Sequence, residues 1–192
     1  MFYPYVIGLH GCAASVANAV LNGEIAHLAP SNHHSEWLGK GVYFWENDYY
    51  RALKWAQDNI EPGEEPCVIG ALINPGICLD LSSASTLEVV KKASVAFDLI
   101  YKKRGVKAPK NKELFRPYDC ALINFVREEW IKGTHHKEVN TVRGAFSEGE
   151  RISTSTFRTL NHIQWAVVTP EKSILGYFRP TEAMRESGLL TP

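Results

Sequence analysis

The chain has 192 residues, of which 45% are hydrophobic, so it is long enough for one domain with a substantial core and too short to make two domains the default expectation. Its 21 basic and 21 acidic side chains cancel, which excludes a general attraction to nucleic acid or anionic membranes but not a local basic site. The first ten residues carry no positive charge and no segment is apolar enough to cross a bilayer, so we expect a cytoplasmic protein with no membrane partner.

The N-terminal part of the chain is predicted to contain two strands that are each followed by a helix. A β-branched run that ends at Gly11 indicates the first strand, and small and apolar residues from about 13 to 22 then recur at helical spacing. The sequence GKGVYF, residues 39 to 44, predicts the second strand. Asp48 is a suitable N-cap for the next helix, from 48 to 59.

The central part is predicted to contain further strands and the longest helix. The sequence CVIGALINPGICLDLS, residues 67 to 82, predicts a strand, a Pro-Gly turn and a short second strand. The longest periodic pattern predicts a helix from 84 to 103 with a basic end, which suits a helix C-terminus. A connection rich in Lys, Arg and Pro follows, from 104 to 118, and another helix is predicted from 119 to 131.

The C-terminal part is predicted to contain two strands, HIQWAVVTP at 162 to 170 and SILGYFRP at 173 to 180, joined by a short turn. The segment before them alternates turn residues with short apolar groups and predicts no regular element. We expect one domain over residues 1 to 180, and a weakly held tail over residues 181 to 192.

The cysteines and histidines do not predict a metal site. The four cysteines lie in unrelated settings without the close pairing that zinc sites use, and a cytosolic chain disfavours disulfides. The adjacent pairs His33–His34 and His135–His136 would point their side chains apart on a strand. We therefore expect no bound metal.

The aromatic run Tyr43, Phe44 and Trp45 has two interpretations. On the first, these residues form a β-strand whose side chains point alternately to the two faces of the sheet, and the preceding glycines form a tight turn into this strand. On the second, Gly39 and Gly41 let the backbone approach a ligand closely, and the phenol beside them is a stacking surface.

Three separated segments favour the second interpretation: LHG at 9 to 11, GKGVYF at 39 to 44, and HIQWAVVTP at 162 to 170. Together they resemble the ADP-ribosyltransferases of the diphtheria-toxin and poly(ADP-ribose) polymerase lineage. That family builds its site from a His-Gly on the first strand, a Tyr in a Gly-x-Gly-x-Tyr-Phe strand and a Glu on a late strand. The order and approximate spacing match over nearly the whole chain. The resemblance implies an α+β fold in which two small, mainly antiparallel sheets face each other across a cleft, flanked by helices.

The resemblance also implies a site for NAD as co-substrate. His10 would hydrogen-bond ribose hydroxyls, the backbone of Gly11 would grip the nicotinamide amide, and Tyr43 would stack on the nicotinamide ring. The loop that covers the cofactor would lie before the tyrosine strand and include Ser31, Asn32, Glu36 and Trp37, although loop capping also explains Ser31 and Asn32. The implied NAD-binding residues are His10, Gly11, Ser31, Asn32, Gly41 and Tyr43.

The chain departs from the family at the late strand, where Gln164 stands in place of the Glu. A glutamine orients a hydroxyl but cannot take a proton, which disfavours polymer elongation and leaves transfer of a single ADP-ribose open. His162, two residues earlier, is the candidate base near neutral pH. The implied catalytic residues are His10, Tyr43, His162 and Gln164, and the candidate acceptor-binding residues are Arg143, Glu148 and His162.

Two classes of function follow from the resemblance. The first is an NAD-dependent mono-ADP-ribosyltransferase, similar to bacterial toxin and phage-defence enzymes, with an antitoxin as a further expected partner. The second is a catalytically silent module that binds NAD, ADP-ribose or a protein, because Gln164 has replaced the Glu.

Nucleic acid is favoured over protein as the acceptor, because local basic residues would collect a phosphate backbone despite the neutral total. A solvated charged face remains the alternative explanation of the same residues. They are Lys107, Lys110, Lys112, Arg116, Arg143 and Arg151.

Overall fold

The computed structural model describes residues 4–31, 33–34, 36–113 and 115–186. Its strands are β1 Val6–Ala13, β2 Val42–Glu46, β3 Pro66–Ile73, β4 Cys78–Asp80, β5 Thr141–Phe146, β6 His162–Val167 and β7 Ile174–Phe178. Its helices are α1 Ala14–Leu21, α2 Tyr49–Asn59, α3 Ala84–Lys103, α4 Pro117–Phe125, α5 Lys132–His135, α6 Pro170–Ser173 and α7 Glu182–Glu186, and a π-helical turn over Val126–Ile131 joins α4 to α5.

All seven strands belong to one mixed sheet with the order β4-β5-β6-β2-β1-β3-β7. The α+β class is therefore confirmed, but one hydrogen-bonded sheet replaces the two separate sheets that we expected. The expectation fails at the junction of β1 and β2, which pair over only two positions, Gly8 with Glu46 and Leu9 with Trp45. This short junction holds together two halves, β4-β5-β6-β2 and β1-β3-β7.

The sheet must bend sharply between these halves. In a flat sheet, β3 and β4 would be five strand spacings apart, roughly 24 Å. The connection from Ile73 to Cys78 spans at most about 18 Å even when fully extended. Curvature must therefore bring β3 and β4 closer together than they would be in a flat sheet.

One core fills the space between the halves, because side chains from both pack in the same buried cluster. Phe44 and Trp165 come from one half, Ile69 and Ile73 from the other, and all four are fully buried. A second cluster beneath α3 and α4 includes Tyr43 and Phe97. Burial of this apolar surface is the main term that stabilises the bent sheet.

The four predicted helices are confirmed within a few residues, and the predicted cap is too, since the side chain of Asp48 accepts from the N–H of Arg51 at 2.9 Å. The helix predicted from 119 to 131 is longer than expected, because it continues through the π-helical turn to His135. Strand β5 was not predicted. None of the helices in the described part of the chain combines the length and apolar character that crossing a bilayer requires.

Candidate functional site

A cleft of about 240 Å³ opens where β1 and β2 diverge beyond their two paired positions. β1, β2 and β6 contribute side chains from below, the segment between α1 and β2 forms one wall, and α2 forms another. The residues that line the cleft are His10, Ala29, Ser31, Glu36, Tyr43, Trp45, Trp55 and Gln164.

His10 closes the gap between the two strands with its side chain. Its Nδ1 lies 2.7 Å from the backbone carbonyl of Tyr43. Since a carbonyl can only accept, Nδ1 carries the proton and Nε2 is left as an acceptor. Burial lowers the pKa of His10, and the bond to Tyr43 opposes this only in part, so the imidazole is neutral near pH 7. The cleft therefore contains an uncharged hydrogen-bond acceptor at this position.

Tyr43 is held rigidly at the base of the cleft. Its hydroxyl donates to the carbonyl of Gly39 at 2.7 Å and accepts from the N–H of Leu38 at 2.9 Å. The side chain is 9% exposed, and burial raises the pKa of its hydroxyl far above the ordinary value. Because both bonds of the hydroxyl go to the loop, the ring is the part of Tyr43 that a ligand would contact.

Two tryptophans complete the aromatic part of the cleft. The rings of Trp45 and Trp55 lie 6.2 Å apart, and the ring of Trp55 lies 6.4 Å from that of His10. Trp55 is 41% exposed, so part of its ring is available to a ligand. Trp45 is 4% exposed, yet its indole Nε1 has no hydrogen-bond partner. A buried donor without a partner is costly, so this N–H lowers the stability of the fold.

Gln164 lies on the same face of the sheet as Trp45. The two residues are directly opposite in the antiparallel pairing of β2 with β6, and opposed residues share a face. On its other side Gln164 is opposite Gly144 of β5. The sequence motif on β6 is thus brought to the cleft formed by the motifs on β1 and β2.

The segment before β2 supplies a hydroxyl and a carboxylate to the cleft. Ser31 and Gly41 exchange backbone hydrogen bonds of 2.8 and 3.3 Å, which fixes the ends of this segment. The hydroxyl of Ser31 donates to Oε1 of Glu36 at 2.5 Å. Glu36 is the one acidic side chain among the described residues that line the cleft.

A polar cluster of Arg51, Glu148 and His162 lies beyond Gln164 along β6. Arg51 donates to the carboxylate of Glu148 at 2.8 Å. His162 donates from Nδ1 to the carbonyl of Leu160 at 2.8 Å, and its side chain is only 2% exposed. Burial, more than the nearby Arg51, lowers the pKa of His162. His162 is neutral near pH 7, but an acceptor group has little access to it.

Arg143 is not part of this cluster. Its Nε donates to Glu46 at 3.0 Å and its Nη1 to the hydroxyl of Ser82 at 3.0 Å. It is opposite Trp165, the neighbour of Gln164, so it lies on the other face of the sheet. Arg143 therefore braces β2 against β5 and does not join Glu148 and His162.

The two glycines of the predicted site have packing reasons to be glycine. A Cβ on Gly11 would overlap the carbonyl oxygen of Ala52, so glycine lets α2 lie directly on β1. A Cβ on Gly41 would lie 2.9 Å from the carbonyl oxygen of Val167, so glycine lets β2 approach β6. Neither residue lines the cleft with a side chain. Asn32 lies outside the described residues.

Sequence reasoning placed Glu36 only in the loop that would cover the cofactor, and it did not identify Trp45 and Trp55 as site residues. Strand periodicity gives a signal for Trp45, since residues two apart share a face and Trp45 therefore accompanies Tyr43. The helical pattern predicts Trp55 on one side of α2 with Ala52, which does not distinguish a core residue from a cleft residue. Glu36 stands in a loop, where no periodicity predicts the direction of a side chain.

No protein-family model matches this chain, and no curated protein matches it. In the described part of the chain, His, Cys, Asp and Glu side chains do not form a group of three or more that could hold a metal ion. The chemistry of the cleft must therefore be inferred from its own residues.

Proposed function

We propose that the protein is an NAD-dependent ADP-ribosyltransferase that transfers a single ADP-ribose unit to a macromolecular acceptor. The observation that carries this proposal is the meeting of His10, Tyr43 and Gln164, from three separate strands, in one cleft. Two half-sheets bent toward each other around a short junction are compatible with the ADP-ribosyltransferase fold, which we propose for the whole domain.

The nicotinamide ring would lie against the rings of Tyr43 and Trp55. The carboxamide would bind the free edge of β1 at Gly11. The carbonyl of Ile7 accepts from the N–H of Asn47, so the backbone groups of Ile7 point toward β2. Backbone groups of every second residue along a strand point to the same side, so those of Leu9 and Gly11 do as well. At Gly11 β2 has diverged, and its N–H and C=O therefore face the gap between the strands. A donor and an acceptor on one residue match the two polar groups of a carboxamide.

The ribose of the nicotinamide half would be oriented by His10 and Gln164. The lone pair of Nε2 would accept from a ribose hydroxyl, and the amide of Gln164 would hold a second hydroxyl. A neutral imidazole suits this position, because positive charge develops on the ribose as the bond to nicotinamide breaks. The cavity of about 240 Å³ is small for a ligand pocket and suits the nicotinamide half of NAD.

Nucleic acid is the acceptor that the charged surface supports best. The guanidinium of Arg116, which ends the basic connection, lies 4.8 Å above the ring of Trp37, the residue after Glu36. The basic connection is thereby attached to the wall of the cleft. The loop between β5 and β6 exposes Arg151 and Arg158, with Phe157 beside them 67% exposed. Basic and aromatic side chains together are typical of single-stranded nucleic-acid binding.

Labelled NAD tests the proposal directly. The purified protein is incubated with the label and, separately, with pools of RNA, DNA and protein. We expect label to enter nucleic acid, and we expect no labelling by the His10→Ala variant. A complete lack of labelling in every pool, with no release of nicotinamide, would contradict the proposed activity, and labelling confined to protein would contradict nucleic acid as the acceptor.

Two charge reversals test the acceptor surface separately from the cleft. Lys110→Glu and Arg151→Glu should reduce labelling of nucleic acid and its sensitivity to salt, while hydrolysis of NAD to nicotinamide stays unchanged. Lys92→Glu, on the exposed side of α3, is the matched control and should change neither. Equal loss of both reactions in Lys110→Glu would mean that the charge acts on the cleft or the fold.

The second candidate is a silent module that binds NAD or ADP-ribose without turnover. The observation that favours it is the amide of Gln164 where the resemblance implies a carboxylate. Saturable NAD binding without release of nicotinamide or labelling of any pool would favour this candidate over the enzyme.

A further inference from the structure

The cleft lacks a carboxylate on β6, and this absence creates a chemical problem for the proposed reaction. As the bond between nicotinamide and ribose breaks, positive charge develops at the sugar, and a nearby negative charge lowers the barrier. An acceptor hydroxyl must also lose its proton. The amide of Gln164 is neutral and takes no proton. Another group of the cleft must therefore supply both functions.

We propose that Glu36 is this group: it supplies the negative charge beside the ribose and takes the proton of the acceptor. The inference rests on the proposed function and names a residue for it. Glu36 lines the same cleft as His10, Tyr43 and Gln164, but it comes from the segment before β2 and not from a strand.

The geometry holds the Glu36 carboxylate in a defined position. The hydroxyl of Ser31 donates to Oε1 at 2.5 Å, and Ser31 is itself fixed by its two backbone bonds to Gly41. The backbone carbonyl of Glu36 accepts from the N–H of Gly39 at 3.0 Å, so the main chain is held on both sides of the side chain. The bond to Ser31 occupies Oε1 and leaves Oε2 to receive a proton.

The charge of Glu36 also acts on the base of the cleft. Burial is the main cause that raises the pKa of Tyr43, and the negative charge of Glu36 is the next. The carboxylate therefore acts electrostatically on the Tyr43 hydroxyl, and both residues line the same cleft. Positive charge that develops on the ribose would be attracted to the same carboxylate.

The alternative acid–base groups are less suited to this function. His162 has a side chain that is only 2% exposed, and its Nδ1 is used in the bond to Leu160. Glu148 is already paired with Arg51 at 2.8 Å, which neutralises its charge locally. Neither residue lines the cleft, whereas Glu36 does.

The step can be written with all atoms and charges balanced. The bond between C1′ of the ribose and the nicotinamide nitrogen breaks, and its electron pair leaves with the nicotinamide, which becomes neutral. An acceptor hydroxyl oxygen forms the new bond to C1′. The hydroxyl proton passes to Oε2 of Glu36 and from there to water. Gln164 orients the ribose throughout and exchanges no proton.

Glu36→Gln is the decisive variant, because it keeps the shape and hydrogen bonding of the side chain and removes its charge. Release of nicotinamide and labelling of acceptor are measured across pH, NAD affinity is measured by calorimetry, and folding is checked by thermal melting. We expect kcat to fall by about 100-fold or more, with NAD affinity changed by less than about threefold. The rise of kcat with pH on the acidic side should disappear, which a structural function alone would not cause.

Glu61→Gln is the matched control, since Glu61 lies in an exposed loop after α2 and away from the cleft. It should behave as the unaltered chain does. If Glu36→Gln does not fold, Glu36→Asp replaces it. That variant keeps the charge but withdraws it by one methylene, and we expect kcat to fall by about tenfold or more.

The outcomes separate this inference from the proposed function. Turnover by a folded Glu36→Gln variant within about twofold of the unaltered chain would overturn the function of Glu36 and leave the enzyme intact. Turnover by Glu36→Asp within about twofold of the unaltered chain would also overturn the function of Glu36. Absence of NAD binding and of nicotinamide release in the unaltered chain would overturn the proposed function and this inference with it.

Discussion

Tyr43 combines two properties in one side chain, because its ring faces the cleft while its hydroxyl fastens the preceding loop. The bonds to Leu38 and Gly39 fix the turn that carries the chain from the Ser31–Glu36 segment into β2. The two interpretations of the aromatic run therefore do not compete at this residue. Tyr43 is a structural residue whose remaining surface is available to a ligand.

Tyr43→Phe should separate these two properties. The ring is retained, so we expect NAD binding to persist, whereas loss of the hydroxyl leaves the N–H of Leu38 without its partner and lowers the free energy of unfolding by about 1–3 kcal/mol. Urea unfolding measures the loss of stability and calorimetry the affinity. Tyr43→Ala should cost more stability, about 3–5 kcal/mol, because it also empties part of the core. Equal stability of Tyr43→Phe and the unaltered chain would contradict the fastening function.

Trp45 and Trp165 make a matched pair for testing a buried donor without a partner. Trp165 donates its indole N–H to Glu46 at 2.6 Å, whereas that of Trp45 has no partner. Trp45→Phe should leave the free energy of unfolding unchanged or raise it, while weakening NAD binding. Trp165→Phe should lower the free energy of unfolding by about 1–3 kcal/mol, because a carboxylate loses a donor. Equal destabilisation by both substitutions, measured by urea unfolding, would contradict a costly unpartnered donor at Trp45.

At this scale the sequence predicted part of the cleft and missed the rest for identifiable reasons. His10, Tyr43 and Gln164 lie on strands, where spacing and motif order carry information about position. Glu36 reaches the cleft through a loop whose course depends on tertiary contacts, such as the bond from Lys40 N–H to the side chain of Asn124 at 3.0 Å. No local pattern in the sequence encodes that contact.

At the scale of elements, the packing of α2 on β1 determines the shape of the cleft. α2 carries Trp55 to the wall of the cleft and Arg51 to the polar cluster beside it. The helix approaches β1 closely because Gly11 has no side chain to hold it away. The His-Gly motif thus has a structural reason for its second residue besides any contact with a ligand.

Gly11→Ala should push α2 away from β1. The added Cβ would overlap the carbonyl oxygen of Ala52, which is backbone and cannot rotate away. We expect the free energy of unfolding to fall by about 1–3 kcal/mol or more, and NAD binding to weaken because Trp55 moves with the helix. Gly133→Ala is the control, since a Cβ there meets nothing within 4 Å. Unchanged melting of Gly11→Ala would mean that α2 is not seated as described.

Helices were predicted more accurately than strands, and β5 shows why. The helix over residues 84 to 103 has a long periodic pattern, so its local sequence is sufficient to identify it. The sequence TVRGAF of β5 contains Arg143 and Gly144, which break any alternation of apolar and polar residues. β5 is a strand because β4 and β6 pair with it on both sides. Such pairing is a tertiary effect that a local pattern does not contain.

For the whole molecule, the decisive feature is the two-position junction between β1 and β2. It explains how one continuous sheet replaces the two sheets that the resemblance implied, because the two halves are almost separate and bend toward each other. The junction also creates the cleft, since the strands that diverge beyond it leave a backbone edge and a gap between them. Sequence alone could not predict this, because the number of paired positions depends on the curvature of the whole sheet.

Stability of the whole fold should decrease as the pH falls below the ordinary histidine range. Burial lowers the pKa of both His10 and His162 from 6.5, so the unfolded chain binds protons that the folded chain does not. The free energy of unfolding is then highest above pH 6.5 and decreases below it, by at most about 1.4 kcal/mol per pH unit for each histidine.

Urea unfolding at about pH 7.5 and about pH 5.5 measures this effect. His162→Gln should reduce the difference between the two conditions, because it removes one of the two groups. A free energy of unfolding that is constant or increases toward the lower pH would contradict the burial of neutral histidines at these positions.

The most direct test of the central claim, that the cleft at the β1–β2 junction binds NAD, is a calorimetric titration of NAD into the unaltered chain and into His10→Ala. Thermal melting first establishes that the variant is folded. We predict binding at one site per chain, weakened by about tenfold or more in the variant, because the ligand loses the acceptor at Nε2 and the gap between the strands loses its bridge. No heat of binding at millimolar NAD, or equal affinity in the two proteins, would contradict the assignment of the cleft.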